Sequence, residues 1–497
     1  MRPTARPGRR RILTLAAAAP LTAAAAIWAG PGIARLTRHE PTLLGNGLVV
    51  GGGGAIHPLA PGTTMAYVPG TRLPEHPEPW GLAVPDRDVL VGRALTRREA
   101  ARLPAGRWRD LVDGALADLL ALTGPALMVG TPGPRPTAST RSPTVGAGPA
   151  SRTEPVSSPA LETEPETASE RERPPQDAEV FPPGAVVAAP VGNWRYVWPR
   201  DAAFAAAALS AVNLPEEALG VLGNLASWQR ADGGFEARYA SDGRVPDGRP
   251  PQSDGCGWFL WAAARLLADG VPAAALDGLV GKNLARAATR LLAVTDTPSY
   301  LPASSPDYWE VSETVLTLGT AAPVLLGLEA ATALVGAGTD LGAPLRDLAD
   351  RVAVVRRAME LNFAPAWGRH VRRDDVDASI ALVLPPFTEP LPGARAVREA
   401  AAARMRRPAG GLAPGSGWRD DGVSWTPETA LMAWSALSLG MEEEGLRLLS
   451  WLEAHRTSAG ALPEKVLADG SPAGPAPLAW TCALILLATA GTGPDPS

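Results

Sequence analysis

The segment at residues 307–310 places a carboxyl group directly beside a large aromatic ring. It reads Asp-Tyr-Trp-Glu, so that Glu310 follows Trp309. An apolar neighbour excludes water from a carboxyl group and favours its protonated form, which is what a general acid needs. The alternative is a helix-start glutamate stabilised by the helix dipole, because we predict a helix from Val311 onward. The segment alone leaves both interpretations open.

A second segment, residues 193–201, combines two indole rings with an arginine–aspartate pair. It reads Asn-Trp-Arg-Tyr-Val-Trp-Pro-Arg-Asp and includes Trp194 and Trp198. Arg200 and Asp201 can exchange hydrogen bonds with neighbouring sugar hydroxyl groups, while a Trp ring covers the apolar face of the sugar. Asp201 could also simply cap the helix that it begins. The aromatic and charged residues together exceed what a cap needs, so we favour a sugar-binding pocket.

Two further loops carry polar residues, each with an ordinary explanation. Residues 232–255 form a long polar loop whose glycines fit a turn-rich connection between helices. Residues 460–480 include Glu464 followed by Lys465, which on local evidence alone is a solvated surface pair. The same segment ends at Trp480. Neither loop identifies a function by itself.

The overall composition is that of a globular protein without a strongly charged surface. Hydrophobic residues make up 46% and charged residues 20%, with a formal net charge of -5. This balance argues against a nucleic-acid partner, which needs a concentrated basic face. There are 15 Trp against 6 Phe and 5 Tyr, which favours stacking on sugars, although Trp also fills cores. The 5 His are scattered, so we expect no metal site and no cofactor.

Cys256 and Cys482 could form a disulfide bond or remain two buried thiols.

Residues 1–30 have the pattern of an export signal. Arginines precede an uncharged apolar run at residues 12–28, as in a signal sequence or an uncleaved membrane anchor. Residues 9–13 also fit a twin-arginine pattern loosely. We therefore expect an exported protein, either secreted or anchored to the outer face of the cytoplasmic membrane.

Helical patterns dominate the rest of the chain. Residues 31–89 are rich in Gly and Pro and predict a small N-terminal extension. This extension could be a β-rich cap or extended chain packed on the main domain. Residues 131–183 are rich in Pro, Ser, Thr and Glu and are predicted to be disordered. Predicted helices cover residues 107–124, 201–212, 216–229, 257–268, 282–294, 311–334, 344–361, 396–405, 427–440, 442–455 and 477–490. Such a series of paired helices predicts an all-α toroid of helix hairpins.

The ordered strings together resemble one family, glycoside hydrolase family fifteen, the glucoamylases. The resemblance rests on Gly-Ala-Val-Val-Ala-Ala-Pro at residues 184–190, Trp-Arg-Tyr-Val-Trp-Pro-Arg-Asp at residues 194–201, Asp-Tyr-Trp-Glu at residues 307–310, and Leu-Pro-Glu followed by Pro-Leu-Ala-Trp at residues 462–480. It implies an (α/α)6 barrel of six inner and six outer helices. The catalytic domain would span residues 90–495, with the segment at 131–183 as an insertion.

The resemblance also implies a role for each matching residue. Glu310 resembles the general acid that protonates the glycosidic oxygen, and Glu464 the general base that activates water, giving inversion. The expected substrate is the non-reducing end of an α-glucan or α-gluco-oligosaccharide, and we expect a monomer. The implied substrate-binding residues are Trp194, Trp198, Arg200, Asp201, Asp307, Trp309, Arg419 and Trp480.

Two departures from the family pattern leave the substrate open. Val311 stands where fungal members carry a second glutamate after the acid, and Gly248 lies where some members place a Trp. The same scaffold could act on trehalose or on isomalto-linkages. A protein that binds surface glycans without hydrolysing them is the alternative outside enzymes, and an unrelated polysaccharide lyase is the least favoured. The presence of both Glu310 and Glu464 favours a hydrolase, because a pure binder needs no carboxyl pair.

Overall fold

The computed structural model describes residues 42–124, 181–342 and 345–490. The predicted export signal at residues 1–30 lies outside the described residues, as does most of the predicted insertion. Twelve α-helices dominate the described part of the chain. Their bounds are Val84–Ala100 (α1), Arg109–Leu122 (α2), Pro199–Ala211 (α3), Pro215–Ser227 (α4), Gly255–Ala268 (α5), Ala273–Val294 (α6), Leu318–Gly336 (α7), Leu345–Phe363 (α8), Ala394–Met405 (α9), Thr426–Ser438 (α10), Glu442–Ala454 (α11) and Ala479–Ala490 (α12).

Five α-helices and one short 3-10 helix, Ala378–Val383, form a closed inner ring. Helix α3 packs against α5, α5 against α7, α7 against the 3-10 helix, the 3-10 helix against α10, α10 against α12, and α12 against α3. The outer helices α2, α8, α9 and α11 each pack mainly on one member of this ring, whereas α4 packs on α3 and α5, and α6 packs on α5 and α7. The predicted all-α toroid of paired helices is confirmed.

The fourth member of the inner ring differs from the six full helices expected. Ala378–Val383 is a 3-10 helix of 6 residues. Asp377 caps its start by accepting a hydrogen bond from the backbone N–H of Ser379 at 3.1 Å. Pro385 and Pro386 follow its end. Because proline donates no backbone hydrogen bond and disfavours helical geometry in the residue before it, the helix cannot continue here.

The inner and outer helices bury different fractions of their surface. In α3 every residue from Pro199 to Ser210 is buried, since neighbours surround this helix. Helix α11 instead buries one face, including Leu448, Leu449 and Leu452. Helix α7 is the one helix of the described ranges that is long and apolar enough to cross a membrane, and most of it is buried inside the protein.

Three helices differ from the sequence predictions. Helix α1 was not predicted, because most of its side chains are exposed and it lacks a continuous apolar face. It is attached through Arg98, which forms an ion pair with Asp113 of α2. Helix α6 begins at Ala273 rather than at residue 282. Helix α7 begins at Leu318 rather than at residue 311, which changes the setting of Glu310.

Two small antiparallel sheets accompany the helices. In the second sheet Trp425 lies opposite Lys465, so that Glu464 is held beside the start of α10. The strand order in the first sheet is β1-β2 and in the second is β3-β4-β5. The strands are Gly47–Val50 (β1), Ile56–Leu59 (β2), Ser424–Trp425 (β3), Lys465–Val466 (β4) and Pro472–Ala473 (β5).

The two described chain ends at Gly124 and Phe181 lie side by side. The backbone N–H of Gly184 donates to the carbonyl of Thr123 at 3.0 Å. A Cβ atom on Gly124, whose φ is +76°, would lie 2.5 Å from the carbonyl oxygen of Pro182. Phe181, predicted to belong to the insertion, is 1% exposed. Packed chain therefore resumes before residue 184, because the Phe181 ring belongs to the core.

The two cysteines are separate buried thiols. Cys256 and Cys482 are both free. The Cys256 thiol donates to the carbonyl of Gly233 at 3.2 Å, and burial raises the pKa of Cys256 to about 12. Of the two alternatives left open by the sequence, the structure has the thiols.

Candidate active site

The inner helices present their N-terminal ends to one pocket. A cavity on the ring axis is lined by Arg200 in the first turn of α3, Asp254 before α5, Gly319 at the start of α7 and Trp480 at the start of α12. Leu431 of α10 completes this side of the lining. Helix N-termini carry unpaired N–H groups and positive potential. The ends of these helices therefore place positive potential around the pocket.

Glu310 lies on a loop, not at a helix start. The segment before α7 hydrogen-bonds to a neighbouring stretch, with the N–H of Leu318 donating to the carbonyl of Arg369 at 2.7 Å. The N–H of Glu310 donates to the carbonyl of Asp307 at 2.9 Å. Its φ of 56° lies in the left-handed region, where non-glycine residues are rare. Such strained backbone is concentrated at functional sites, and the helix-start interpretation of Glu310 is wrong.

The Glu310 carboxylate faces two arginines at the mouth of the pocket. Its Oε2 atom forms an ion pair with Arg249, and its Oε1 atom lies 4.0 Å from Nη2 of Arg200. Arg249 also lies 3.3 Å from Asp247, which forms an ion pair with the buried Arg238. The loop at residues 232–255, for which a plain connection between helices was a sufficient explanation, therefore reaches the carboxyl group of Glu310 through Arg249.

Asp307 and Trp309 are held by a buried arginine that the sequence did not identify. Arg369 contacts Asp307 at 2.7 Å and Asp377 at 3.1 Å, and its guanidinium carbon lies 3.8 Å from the Trp309 ring centroid. Asp307 also accepts a hydrogen bond from the N–H of Trp309 at 2.9 Å. Charges outweigh the effect of burial and raise the pKa of Arg369. This network fixes the loop that carries Glu310.

Glu464 is buried, contrary to the surface pair that local evidence favoured. It is 8% exposed. Its Oε1 atom accepts a hydrogen bond from Nε1 of Trp194 at 3.0 Å, and its Oε2 atom lies 2.9 Å from Nζ of Lys465. No hydrogen bond or ion pair within the described chain links it to Glu310. The two predicted catalytic carboxyl groups are separate groups with different surroundings.

Arg200 and Asp201 lie at the bottom of the pocket. Their side chains approach to 3.2 Å, and the N-cap residue of α3 is Trp198 rather than Asp201. Burial raises the pKa of Asp201 to about 6, against the opposing charge of Arg200 and with a further increase from Glu310. Burial alone would lower the pKa of Arg200, but the charges of Asp201, Asp254 and Glu310 outweigh it. These charges hold Arg200 protonated.

Two more buried carboxyl groups adjoin the pocket and escaped the sequence analysis. Burial raises the pKa of Asp254 to about 6, although Arg200 and a 3.0 Å hydrogen bond from Nε1 of Trp258 oppose the increase. Glu428, in the first turn of α10, is 3% exposed. Both stand in ordinary helix-start sequence, so no local pattern distinguishes them from capping residues. Only the ring closure brings them to the pocket.

Indole rings line the opposite wall. The ring centroids of Trp309 and Trp418 are 4.7 Å apart, and those of Trp418 and Trp425 are 5.4 Å apart. Nζ of Lys465 lies 4.4 Å from the Trp425 ring, which connects this wall to Glu464. The predicted residue Arg419 is exposed, with its guanidinium 5.6 Å from the Trp418 ring centroid. It lies beside the aromatic wall, on the solvent side.

Many buried polar atoms around the pocket have no hydrogen-bond partner within the described chain. Buried donors and acceptors are normally paired, so a concentration of unpaired ones indicates a polar ligand. Among the described residues no group of His, Cys, Asp and Glu is arranged to hold a metal ion. The unpaired atoms include Nε and Nη1 of Arg200, Oε2 of Glu428, and Nε1 of Trp198, Trp309, Trp418, Trp425 and Trp480.

The fold is shared with solved structures of glycosidases. A wild-type glycosidase is 22% identical with a TM-score of 0.51, and the match covers 61% of this chain and 90% of that chain. A glutamate-to-alanine variant of a glycosidase in complex with glucose gives the same identity and TM-score, over 63% and 92% of the two chains. A glucoamylase from Saccharomycopsis fibuligera is 15% identical with a TM-score of 0.49, over 62% and 89%. No protein-family model and no curated protein sequence matches the chain.

Proposed function

We propose that this protein is an inverting glycoside hydrolase, with Glu310 as general acid and Glu464 as general base. The observation that carries the proposal is the arrangement of one pocket. Glu310 lies 4.0 Å from Arg200, which lines the pocket, and Glu464 is hydrogen-bonded to the start of α10, which also contributes to the lining. Unpaired polar atoms of Arg200 and of several Trp side chains lie in the same region. A sugar offers ring hydroxyl groups to the charged atoms and apolar ring faces to the indoles.

The proposed reaction breaks one bond between a sugar carbon and the glycosidic oxygen. Glu310 donates its proton to that oxygen, and the bonding electrons leave with the departing alcohol. Glu464 takes a proton from a water molecule, whose oxygen bonds to the sugar carbon from the opposite face. The products are the free sugar with inverted configuration and the released alcohol. Exchange of protons with solvent then restores Glu310 and Glu464.

The surroundings of the two glutamates fit these different tasks. The Glu310 side chain is 24% exposed and that of Glu464 is 11% exposed, so the leaving group would depart on the more open side. Lys465 and the Trp194 indole each contact one carboxylate oxygen of Glu464, which holds the proposed base in one orientation. The ion pair of Arg249 with Glu310 must open or rearrange when Glu310 carries its proton.

The proposed substrate is the non-reducing glucose of an α-glucan or an α-gluco-oligosaccharide. One of the solved glycosidases with this fold is in complex with glucose, which supports a glucose-sized innermost site here. We further propose that the protein is exported and acts as a monomer without a cofactor. A trehalase or an isomalto-linkage glucosidase would use the same pair of glutamates.

Glucose release tests this proposal. The purified protein, with and without residues 1–40, is incubated with maltose, maltotriose, isomaltose and trehalose, and the first anomer of glucose is followed by NMR. Initial β-glucose from one substrate supports inversion and identifies the linkage. Initial α-glucose would contradict the inverting assignment. Binding of these sugars without any release would favour the glycan-binding alternative.

A further inference from the structure

Glu428 is a buried carboxyl group with one oxygen unused by the protein. Its side chain is 3% exposed, and Oε2 has no hydrogen-bond partner among the described residues. The helix that carries it is fastened to the segment of the proposed base. The N–H of Thr426 donates to the carbonyl of Glu464 at 3.0 Å, and its hydroxyl group donates to the carbonyl of Pro463 at 2.6 Å. Glu428 is therefore fixed in place beside Glu464.

Glu428 lies one helix turn before a residue that lines the pocket. Leu431 lies on the same helix face, one turn beyond Glu428, and lines the axial cavity together with Arg200 and Trp480. Glu428 also interacts electrostatically with Glu464. The further charged and titratable groups that face it are Arg200, Asp377 and Tyr308. Groups from four different segments thus interact with its carboxyl group.

The Glu428 side chain interacts with its own backbone N–H, but this leaves Oε2 unpaired, and a capping box does not use it either. A capping glutamate would reach back to the N–H of the cap residue, Trp425. That N–H already donates to the carbonyl of Leu412 at 2.7 Å. Burying an unpaired carboxyl oxygen costs free energy that an exposed capping residue avoids.

The protonation state of Glu428 makes it a hydrogen-bond donor at neutral pH. Burial, together with the negative charges of Glu464 and Asp377, outweighs the opposing charge of Arg200 and raises the pKa of Glu428 to about 8. A neutral carboxylic acid both donates and accepts a hydrogen bond. This matches a sugar hydroxyl group, which does the same.

We propose that Glu428 is a substrate-positioning residue, whose free Oε2 forms a hydrogen bond with one hydroxyl group of the innermost sugar. The proposal deepens the proposed function and rests on the same pocket. It assigns to the pocket a third carboxyl group with a role distinct from those of Glu310 and Glu464.

The test is a double-mutant cycle between the protein and the sugar. Binding of glucose and of its 2-, 3-, 4- and 6-deoxy analogues is measured by calorimetry for the wild-type protein and for Glu428→Met. We expect the wild-type protein to bind one deoxy analogue about tenfold more weakly than glucose, the usual worth of one hydrogen bond. Glu428→Met should bind glucose about tenfold more weakly and lose discrimination against that analogue alone. Glu399→Met on α9 should leave every value unchanged.

The possible outcomes separate this inference from the proposed function. If Glu428→Met keeps the full discrimination of the wild-type protein, the inference is overturned while the hydrolase proposal stands. If the wild-type protein binds no glucose, the hydrolase proposal fails and this inference with it. We expect Glu428→Met to fold, since it replaces an unpaired buried carboxyl group with an apolar side chain. The cycle is repeated with Glu428→Ala, which should give the same loss of discrimination.

Discussion

Trp194 donates a hydrogen bond from Nε1 to Oε1 of Glu464 at 3.0 Å, across 270 residues of sequence. The other carboxylate oxygen of Glu464 lies 2.9 Å from Nζ of Lys465. Two residues therefore set the orientation of Glu464. Trp194 precedes the first inner helix, and Lys465 directly follows Glu464 in the chain. The strand pair formed by Trp425 and Lys465 holds this arrangement against α10.

Replacing Trp194 with Phe should slow hydrolysis with little change in substrate affinity. The ring is retained, but the hydrogen bond that orients Glu464 is lost. We expect kcat to fall about tenfold, the usual worth of one hydrogen bond to a buried group, and KM to change less than twofold. The matched control is Trp451→Phe, whose Nε1 donates at 2.7 Å to the carbonyl of Ala409 on the outer side of the domain. An equal fall in kcat for both variants would contradict the orienting role of Trp194.

The two glutamates should respond differently to the leaving group. Glu310→Gln should reduce hydrolysis of maltose-type substrates by about 100- to 10,000-fold, the usual range for loss of a general acid. It should reduce hydrolysis of α-glucosyl fluoride by less than tenfold, because fluoride departs without a proton. Glu464→Gln should lose activity on both substrates, since both need an activated water. Initial rates on the two substrates measure this difference.

The control for both variants is Glu399→Gln, which alters an exposed ion pair with Arg395. Its rates should equal those of the wild-type protein. If Glu310→Gln lost activity equally on both substrates, Glu310 would not be the acid. If Glu464→Gln kept its rate on the fluoride, the assignment of the base would be wrong.

Arg369 should be essential for both stability and rate. Replacing it with Met leaves Asp307, Asp377 and Glu313 buried without their shared cation, which costs about 3–5 kcal/mol of the free energy of unfolding. Arg369→Lys should recover part of this stability but not the rate, because Lys cannot bond several carboxylates at once. Urea unfolding and kcat are measured for both variants. Arg356→Met, which breaks a half-buried outer ion pair, should cost about 1 kcal/mol or less.

Asp254 should make the protein less stable as the pH rises. Its pKa is raised from 3.8 to about 6, so between these values the folded protein binds more protons at this site than the unfolded chain does. The free energy of unfolding therefore falls through this window, by about 3 kcal/mol in total. Asp254→Asn keeps an acceptor for Trp258 and removes the titration, so its stability relative to wild type should increase from pH 4 to 6. The free energy of unfolding of the exposed control Asp269→Asn should depend on pH as that of the wild-type protein does. The same pH dependence for Asp254→Asn would contradict the prediction.

Most of the site residues proposed from the sequence stand together in short strings. Trp194, Trp198, Arg200 and Asp201 are neighbours in the chain, and so are Asp307, Trp309 and Glu310, so their chemistry is visible locally. The first string runs into the start of α3, and the second lies on the loop before α7. Both therefore lie near the N-terminal ends of inner helices.

The residues that the sequence missed stand alone among ordinary neighbours. Arg369 meets Asp307 across 62 residues, through the packing of two loops. Glu428 has the sequence position of a first-turn helix residue, and its proposed role depends on burial that periodicity cannot reveal. The start of α7 was misplaced because residues 311–317 are compatible with a helix. The hydrogen bonds of this segment to residues 369–371 override that local preference.

Gly124 and Pro182 lie next to each other, so another domain could be inserted between them. Because the flanking backbone is already closed by the hydrogen bond between Gly184 and Thr123, the length of chain joining the two sides has little effect on the helical ring. A reporter domain whose own termini lie close together could replace residues 125–180 without displacing the pocket. The protein could then be tethered or labelled through this one junction.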